Sequence, residues 1–547
     1  MDNARFVLIV FFFTLSFMLY QQWEIDYGPK PQLPTQTVPN VSGVNDASTP
    51  ASASSADPAA SVGQSGAAVA RQRIAVKTDV MRLDIDTQGG DIRLVDLLHY
   101  PQAKDTPDTP VRLLDDQEPI FIAQSGFTGN QATAPTHYSQ WAPAASSYTL
   151  AEGQNELRVP FTWTSPDGVT ITKTYVISRG SYDIRLEHAI TNKSQTVWSG
   201  RQYVQLQRKD PGDKGKDPYV RTYTGGVLYT PADKYEKISF EDMASKNLDR
   251  KSNDGWVAMI QHYFMAAWIP TAGVENSFYT KALADQHFLI GTFSPAMDVP
   301  PGETRQFEAQ LFAGPKLQRV LEATAPGLDL TVDYGKLTLI AKPIFWLLEQ
   351  FHKIFNNWGW AIIFVTITLK ALFFRLSASS YRSMANMRKI QPKLAELKEV
   401  HGADKQKLNQ AMMEMYRKEK VNPLGGCLPI LVQIPVFISL YWVLIETVEM
   451  RQAPFIGWLT DLSAKDPYFI LPVIMGISMF FQQKLSPPPS DPLQAKIMQF
   501  FPIMFTGFFA FFPSGLVLYW VVNNLLSILQ QWYINKTIGA EHAPAKA

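Results

Sequence analysis

Residues 358–376 read WGWAIIFVTITLKALFFRL, and this stretch decides the class of fold. It approaches the ~20 residues that a helix needs to cross a hydrocarbon core. Lys370 interrupts it, twelve residues after Trp358. A charge at mid-bilayer costs roughly 2.5–3.5 kcal/mol on insertion scales, so such a residue is expected to face a bundle interior or a wet cavity. Thr366, four residues earlier, shares its helix face. The alternative is that Lys370, only six residues before Leu376, snorkels along about 9 Å of helix rise to the interface.

Outward from this stretch, four further runs have similar length and character: 427–447, 467–484, 496–512 and 514–534. Pro513-Ser514-Gly515 separates the last two and reads as a tight turn. Pro429, Pro435, Pro472 and Pro502 lie inside runs, where kinks are expected. Gln433, Asn523, Asn524 and Ser527 are polar groups that need partners in lipid and should face inward. With Lys370 they point to a polar cavity.

Between 382 and 420 lie ten basic residues against five acidic ones. The positive-inside rule makes this loop cytoplasmic. It reads as a helical hairpin over 378–422, with arms 378–400 and 404–420. Met384, Met387, Met412 and Met413 dot the arms. A Met-rich surface suits varied apolar ligands; the alternative is that these methionines form the hairpin's own seam. The loop at 449–466 carries only Arg451 and Lys465 and is placed outside.

Upstream, residues 336–356 switch to helical spacing, with Ile344, Leu347, Leu348, Phe351, Ile354 and Phe355 on one face. A polar opposite face suggests a helix lying in the membrane interface, with docking on the preceding domain as the alternative. The segment 329–356 is assigned to this element. Residues 74–328 alternate with period two, as in Met81, Leu83 and Ile85 against Arg82, Asp84 and Asp86, and break at Gly- and Asp-containing turns. That pattern predicts antiparallel strands with one wet face, hence a large β-sandwich. Residues 24–73, rich in Pro, Ser, Thr, Ala and Gln, read as a disordered tether. Phe6–Tyr20, FVLIVFFFTLSFMLY, lacks a small-residue exit and reads as an uncleaved anchor within 1–23, with Trp23 at the interface. The fold class is therefore a multi-domain, polytopic α-helical membrane protein with six spans, a large periplasmic antiparallel β-sandwich and a cytoplasmic helical hairpin. The five-span core covers 357–535 and a short tail 536–547, with both termini cytoplasmic.

Composition excludes several functions. The chain has 547 residues, a net charge of +1 and a single cysteine, Cys427. Near-neutral charge gives no reason to expect nucleic acid, and one cysteine cannot form a disulfide framework or a zinc finger. Eight scattered histidines lack metal spacing, and no nucleophile elbow, phosphate loop or dinucleotide fingerprint occurs. A Ser–Lys dyad fails on reach, because Ser377 lies about 10 Å along the helix from Lys370. No catalysis, cofactor or metal is expected.

Four segments carry a family resemblance: YRSMANMRKIQPKLAELKE (381–399), KVNPLGGCLPILVQIPVFISLYWVL (420–444), RQAPFIGWLTDLSAKDPYFILP (451–472) and FFPSGLVLYWVVNN (511–524). They resemble the YidC family of membrane protein insertases, and LDLTVDYG (328–335) resembles its Gram-negative members. The resemblance implies insertion and folding of inner-membrane proteins, alone or with the Sec translocon, through a hydrophilic groove open to cytoplasm and lipid. It implies as partners nascent inner-membrane proteins, Sec translocon subunits, the ribosome or signal recognition machinery, and the bilayer. The groove's basic residue maps onto Lys370, where relatives usually carry arginine, so the bidentate fork is lost. Arg375 stands where relatives often have proline. Thr366, Gln433, Tyr519 and Trp520 match polar or aromatic groove positions, and Asn523 joins them on its own polarity. The tail HAPAKA is short and barely basic, unlike the lysine-rich tails of some relatives. Two other functions fit the same pattern less well: a secondary transporter using Lys370 as substrate or proton site, without the internal repeats such proteins show, and a sugar-binding sandwich.

Overall fold

The computed structural model describes residues 72–129, 134–212, 222–401, 404–419, 428–485 and 492–541. The anchor at 1–23, nearly all of the tether, Cys427 and the end of the tail lie outside them. The chain divides into two compact units, one ending at Val332 and the other continuing from Asp333.

The first unit is built on two large sheets. Alternation places Met81, Leu83 and Ile85 in the core and Arg82 in solvent, along strand Met81–Asp86. That strand pairs antiparallel with Arg73–Lys77 and Ile92–Pro101 in an 11-stranded sheet whose centre holds Trp198–Lys209 and Phe121–Thr128. A nine-stranded sheet is centred on Thr304–Pro315, between Phe264–Pro270 and Asp183–Asn192. Pairing is antiparallel except for the match of Arg73–Lys77 with Ser147–Thr149. Trp268 of the second sheet donates its indole N–H to the Gln205 carbonyl of the first, at 3.0 Å. Trp141, Trp198, Trp256 and Trp268 are fully buried. Two short helices complete the unit, α1 (Phe240–Ser245) and α2 (Gln318–Thr324). Ser239 caps α1 in a reciprocal capping box with Asp242.

Lys173 lies inside this core, fully buried. Its ammonium donates to the Gly89 carbonyl at 2.7 Å, sits 3.8 Å from Asp91 and faces the Trp141 ring at 5.4 Å. Burial pulls the ammonium down to about 8, against the opposing pull of Asp91. Gly90, with φ of +59°, leaves the room that Lys173 fills: an added Cβ would meet its side chain at 3.1 Å.

The second unit is helical: α3 (Thr338–Phe355), α4 (Trp358–Leu372), α5 (Phe374–His401), α6 (Lys405–Lys418), α7 (Leu428–Glu446), α8 (Ile470–Leu485), α9 (Pro492–Phe509) and α10 (Ser514–Glu541). Adjacent asparagines separate α3 from α4. Asn356, at φ of +50°, ends the first in the left-handed conformation, and Asn357 caps the second through Gly359 and Trp360 amides. α3 packs on α4 and α7. Its buried residues are Ala341, Ile344, Phe345 and Leu348, while Ile354, expected on that face, is 70% exposed with Leu339 and Trp346.

Residues 358–376 are not one straight helix. α4 stops at Leu372, and α5 leaves at 66° to it. Phe373 sits between them at φ −91° and ψ 11°, and Gln530 of α10 donates to the Phe374 carbonyl at 3.2 Å. Among the described residues no single helix is long and apolar enough to cross a membrane, whereas the bent pair α4–α5 passes that test together. The other runs become α7, α8, α9 and α10, shifted at their ends by up to seven residues from the stretches read in the sequence.

Candidate functional site

The helices around α10 arrange their polar residues in successive levels. α4 and α10 run in the same sense and α7 runs against both, so Lys370, Gln433 and the Asn523–Ser527 segment arrive together. Gln433 donates its amide to the Asn523 side-chain oxygen at 2.6 Å. One turn on, Lys370 donates to the Ser527 hydroxyl at 2.7 Å. Asn524 faces the opposite neighbour and donates to Ser478 of α8 at 3.0 Å. Each is a partner that a polar group needs away from water. Asn523, Asn524 and Ser527 are all buried.

These groups wall a cavity of about 660 Å³ that also takes in Ser377, Tyr381 and Met384 of α5 and Gln482 and Gln483 of α8. Five helices therefore contribute polar side chains, and α9 adds Met498 and Pro502. Lys370 has no carboxylate within ion-pairing distance among the described residues. Its ammonium can make three hydrogen bonds; Ser527 takes one.

Aromatic rings close one end. Phe437, one turn beyond Gln433, stacks on Tyr519 at 6.0 Å and tilts against Trp520 at 4.9 Å between centroids. Phe509 adds an edge contact to Trp520 at 5.7 Å. Beyond the rings, the 447–469 loop is tied to the α9–α10 turn. Ser514 donates to the Asp461 carbonyl, and the Gly515 amide to Leu462. Buried Asp466 accepts from Trp458, from the Tyr468 amide and from the first turn of α8 at Leu471. Glu449, in the same loop, has its carboxyl pushed up to about 7 by burial, with a further push from Glu349.

The expected site residues fall as follows. Lys370, Gln433, Tyr519, Trp520 and Asn523 line the cavity, and Thr366 lines a recess beside Lys370 and Gln433. Thr366 is buried, with its hydroxyl turned back to the Ile362 carbonyl. The methionines separate: Met384 lines the cavity, Met387 and Met412 pack against Ile390 and Leu394 between α5 and α6, and Met413 is 53% exposed. Unforeseen as wall residues were Tyr381, Gln482, Gln483 and Gln531. Polar side chains within the apolar run SMFFQQK (478–484) are the signal that marks the two glutamines of α8.

The profile of the YidC periplasmic domain matches residues 73–347, and that of the 60Kd inner membrane protein matches 350–541. The chain belongs to the YidC family. A relative from Methylococcus capsulatus, called Membrane protein insertase YidC, is 62% identical over 546 residues, covering all of both chains. A relative of the same name from Nitrosococcus oceani is 48% identical, covering 99% of this chain and all of that one. A solved structure of an active YidC insertase aligns with 85% of this chain and 93% of its own, at 17% identity and a TM-score of 0.36. The family confirms a large β-rich periplasmic domain followed by a helical inner-membrane region.

Proposed function

We propose that this protein inserts and folds inner-membrane proteins by admitting their hydrophilic segments into the cavity beside Lys370. In this reading six spans cross the membrane, both termini and the α5–α6 hairpin face the cytoplasm, and the cavity opens to cytoplasm and lipid. A client's polar segment enters without full desolvation, which otherwise costs several kcal/mol per uncompensated polar group. The Lys370 charge attracts acidic residues near the translocated end. The client's apolar span leaves sideways, driven by burial in lipid at about 25 cal/mol per Å². No nucleotide is required: partitioning, with the membrane potential acting on client charges, supplies the energy. Met384 and Met413 offer the hairpin's apolar contacts to the client. The Sec translocon, the ribosome and signal recognition machinery are the partners that deliver or share clients.

The observation that carries this proposal is a cationic side chain without a counter-ion among the described residues, facing a large cavity walled by polar groups from five helices. The test is reconstitution of the protein alone in liposomes with a single-span client. Protease-protected client is expected, reduced at least tenfold by Lys370→Leu. A cysteine at position 370, in a Cys427→Ser background, is expected to react with water-soluble maleimide. Full insertion by Lys370→Leu together with an unreactive cysteine refutes the proposal, and solute transport without insertion establishes the transporter instead.

A further inference from the structure

Ser527 is where two helices of the cavity, α4 and α10, meet through one hydroxyl. It lies on α10 and is 2% exposed. Its oxygen accepts from the Lys370 ammonium of α4 at 2.7 Å. Its proton is committed to the Asn523 carbonyl, one turn back, also at 2.7 Å. Asn523 in turn receives the Gln433 amide of α7. The hydroxyl is thus fixed in direction: with its proton on a backbone carbonyl, a lone pair points at the lysine.

That direction matters because a lysine does not hold itself in place. Its ammonium is a point charge on a stem with four rotatable carbons and about 2 kcal/mol of rotamer entropy. Without a fixed acceptor the stem is free to swing toward bulk water, as snorkelling side chains do. Residue 370 is in the last turn of α4, two residues before the helix ends at Leu372, so a route out is short. A buried neutral acceptor is suited to the task. It orients the ammonium through one donor and leaves the charge uncompensated, whereas a carboxylate would neutralise it.

We infer that Ser527 is a positioning residue: it holds the Lys370 ammonium inside the cavity with its remaining donors turned to the occupant, and so sets the preference for clients carrying a carboxylate in the translocated segment. The inference rests on the client-groove reading of the cavity and adds to it a residue and a selectivity.

The test compares two otherwise identical single-span clients, one with Asp and one with Asn in the translocated segment, inserted by full-length protein in liposomes. Ser527→Ala should lower insertion of the Asp client by about tenfold, the size expected for losing a hydrogen bond to a charged group. The Asn client should change by less than twofold. Ser527→Thr, which keeps the hydroxyl, should restore the Asp client. In a Lys370→Leu background, Ser527→Ala should have no further effect, because the serine acts through the lysine. Equal loss of both clients, or an undiminished effect of Ser527→Ala without Lys370, overturns the positioning role. So does full insertion of the Asp client by Ser527→Ala while Lys370→Leu is defective, an outcome that leaves the groove standing. Full insertion by Lys370→Leu itself removes the groove and the inference together.

Discussion

Lys370 and Lys173 sit in opposite surroundings, which assign them opposite tasks. Lys370 has a hydroxyl and open space, and its charge is left for use. Lys173 has a carbonyl at 2.7 Å, a carboxylate at 3.8 Å and an indole face, and its charge is consumed by the fold. The second arrangement predicts a pH dependence. Its folded-state value is lowered from 10.5 to about 8, so between those limits the unfolded chain holds a proton that the native one has released. Stability then rises with pH across that window, by a contribution on the order of 3 kcal/mol, and is flat from this group below and above it. Thermal unfolding of the full chain in detergent, followed by near-UV circular dichroism of the buried tryptophans, should show the rise, and Lys173→Met should abolish it. The same variant should be less stable at pH 7 by roughly 2–4 kcal/mol, since it strands the Gly89 carbonyl and removes one partner from buried Asp91. Wild-type and variant profiles that run parallel from pH 8 to 10.5 count against this assignment.

Among the elements, α4 shows what the sequence discloses and what it hides. Its apolar run, its lysine and its neighbours with polar interruptions were all legible, because each is a departure from a uniform hydrophobic stretch. The partners were not: nothing in the spacing says that Lys370 meets Ser527 rather than Ser377, since those contacts depend on how α4, α7 and α10 cross. The break at Phe373 was hidden for a related reason. No proline or glycine marks it, and Arg375 occupies a position where proline would have signalled an interruption. Gln530, 156 residues away, supplies the donor at the bend. The face of α3 was misjudged at Ile354 because periodicity finds an apolar stripe but not where the neighbouring helices end. At the other end of α4, Gly359 packs against Phe455, with a Cβ placed only 2.0 Å from the ring. Alanine ordinarily stabilises a helix over glycine by about 1 kcal/mol. Here Gly359→Ala should destabilise by roughly 1–3 kcal/mol, because the ring must move and the 3.0 Å bond from Asn357 to the Phe455 carbonyl is disturbed. Adding Phe455→Ala should recover part of that loss, and denaturation midpoints of the single and double variants measure it. A stabilising Gly359→Ala is the outcome that contradicts the packing.

For the whole molecule, the division at Val332 separates two kinds of chemistry. The sandwich buries many of its polar groups in closed networks, such as Asn192 bonded to the Val299 and Thr196 carbonyls and Gln205 bonded to Gln124 and Tyr279. Such networks rigidify a core and leave little to offer a client. The helical unit does the reverse: it assembles polar side chains around space and leaves the Lys370 charge unpaired among the described residues. Every cavity residue comes from that unit, between Lys370 and Gln531. The tie that closes one end of the cavity, from Asp461 and Leu462 to Ser514 and Gly515, also lies wholly within it. Removal of residues 74–320 should therefore leave insertion of a single-span client within about twofold of the full chain, at equal amounts of protein in the liposome. Lys370→Leu in the truncated protein should reduce that activity at least tenfold, as predicted for the full chain, which would show that the same cavity is at work. A truncate that is stably folded by protease resistance of its helices yet inserts nothing would place part of the insertion machinery in the sandwich. The most direct candidates would then be the sandwich residues with unpaired buried polar atoms, His188 and Thr292 among them, and the closed-network account of that domain would fall with the prediction.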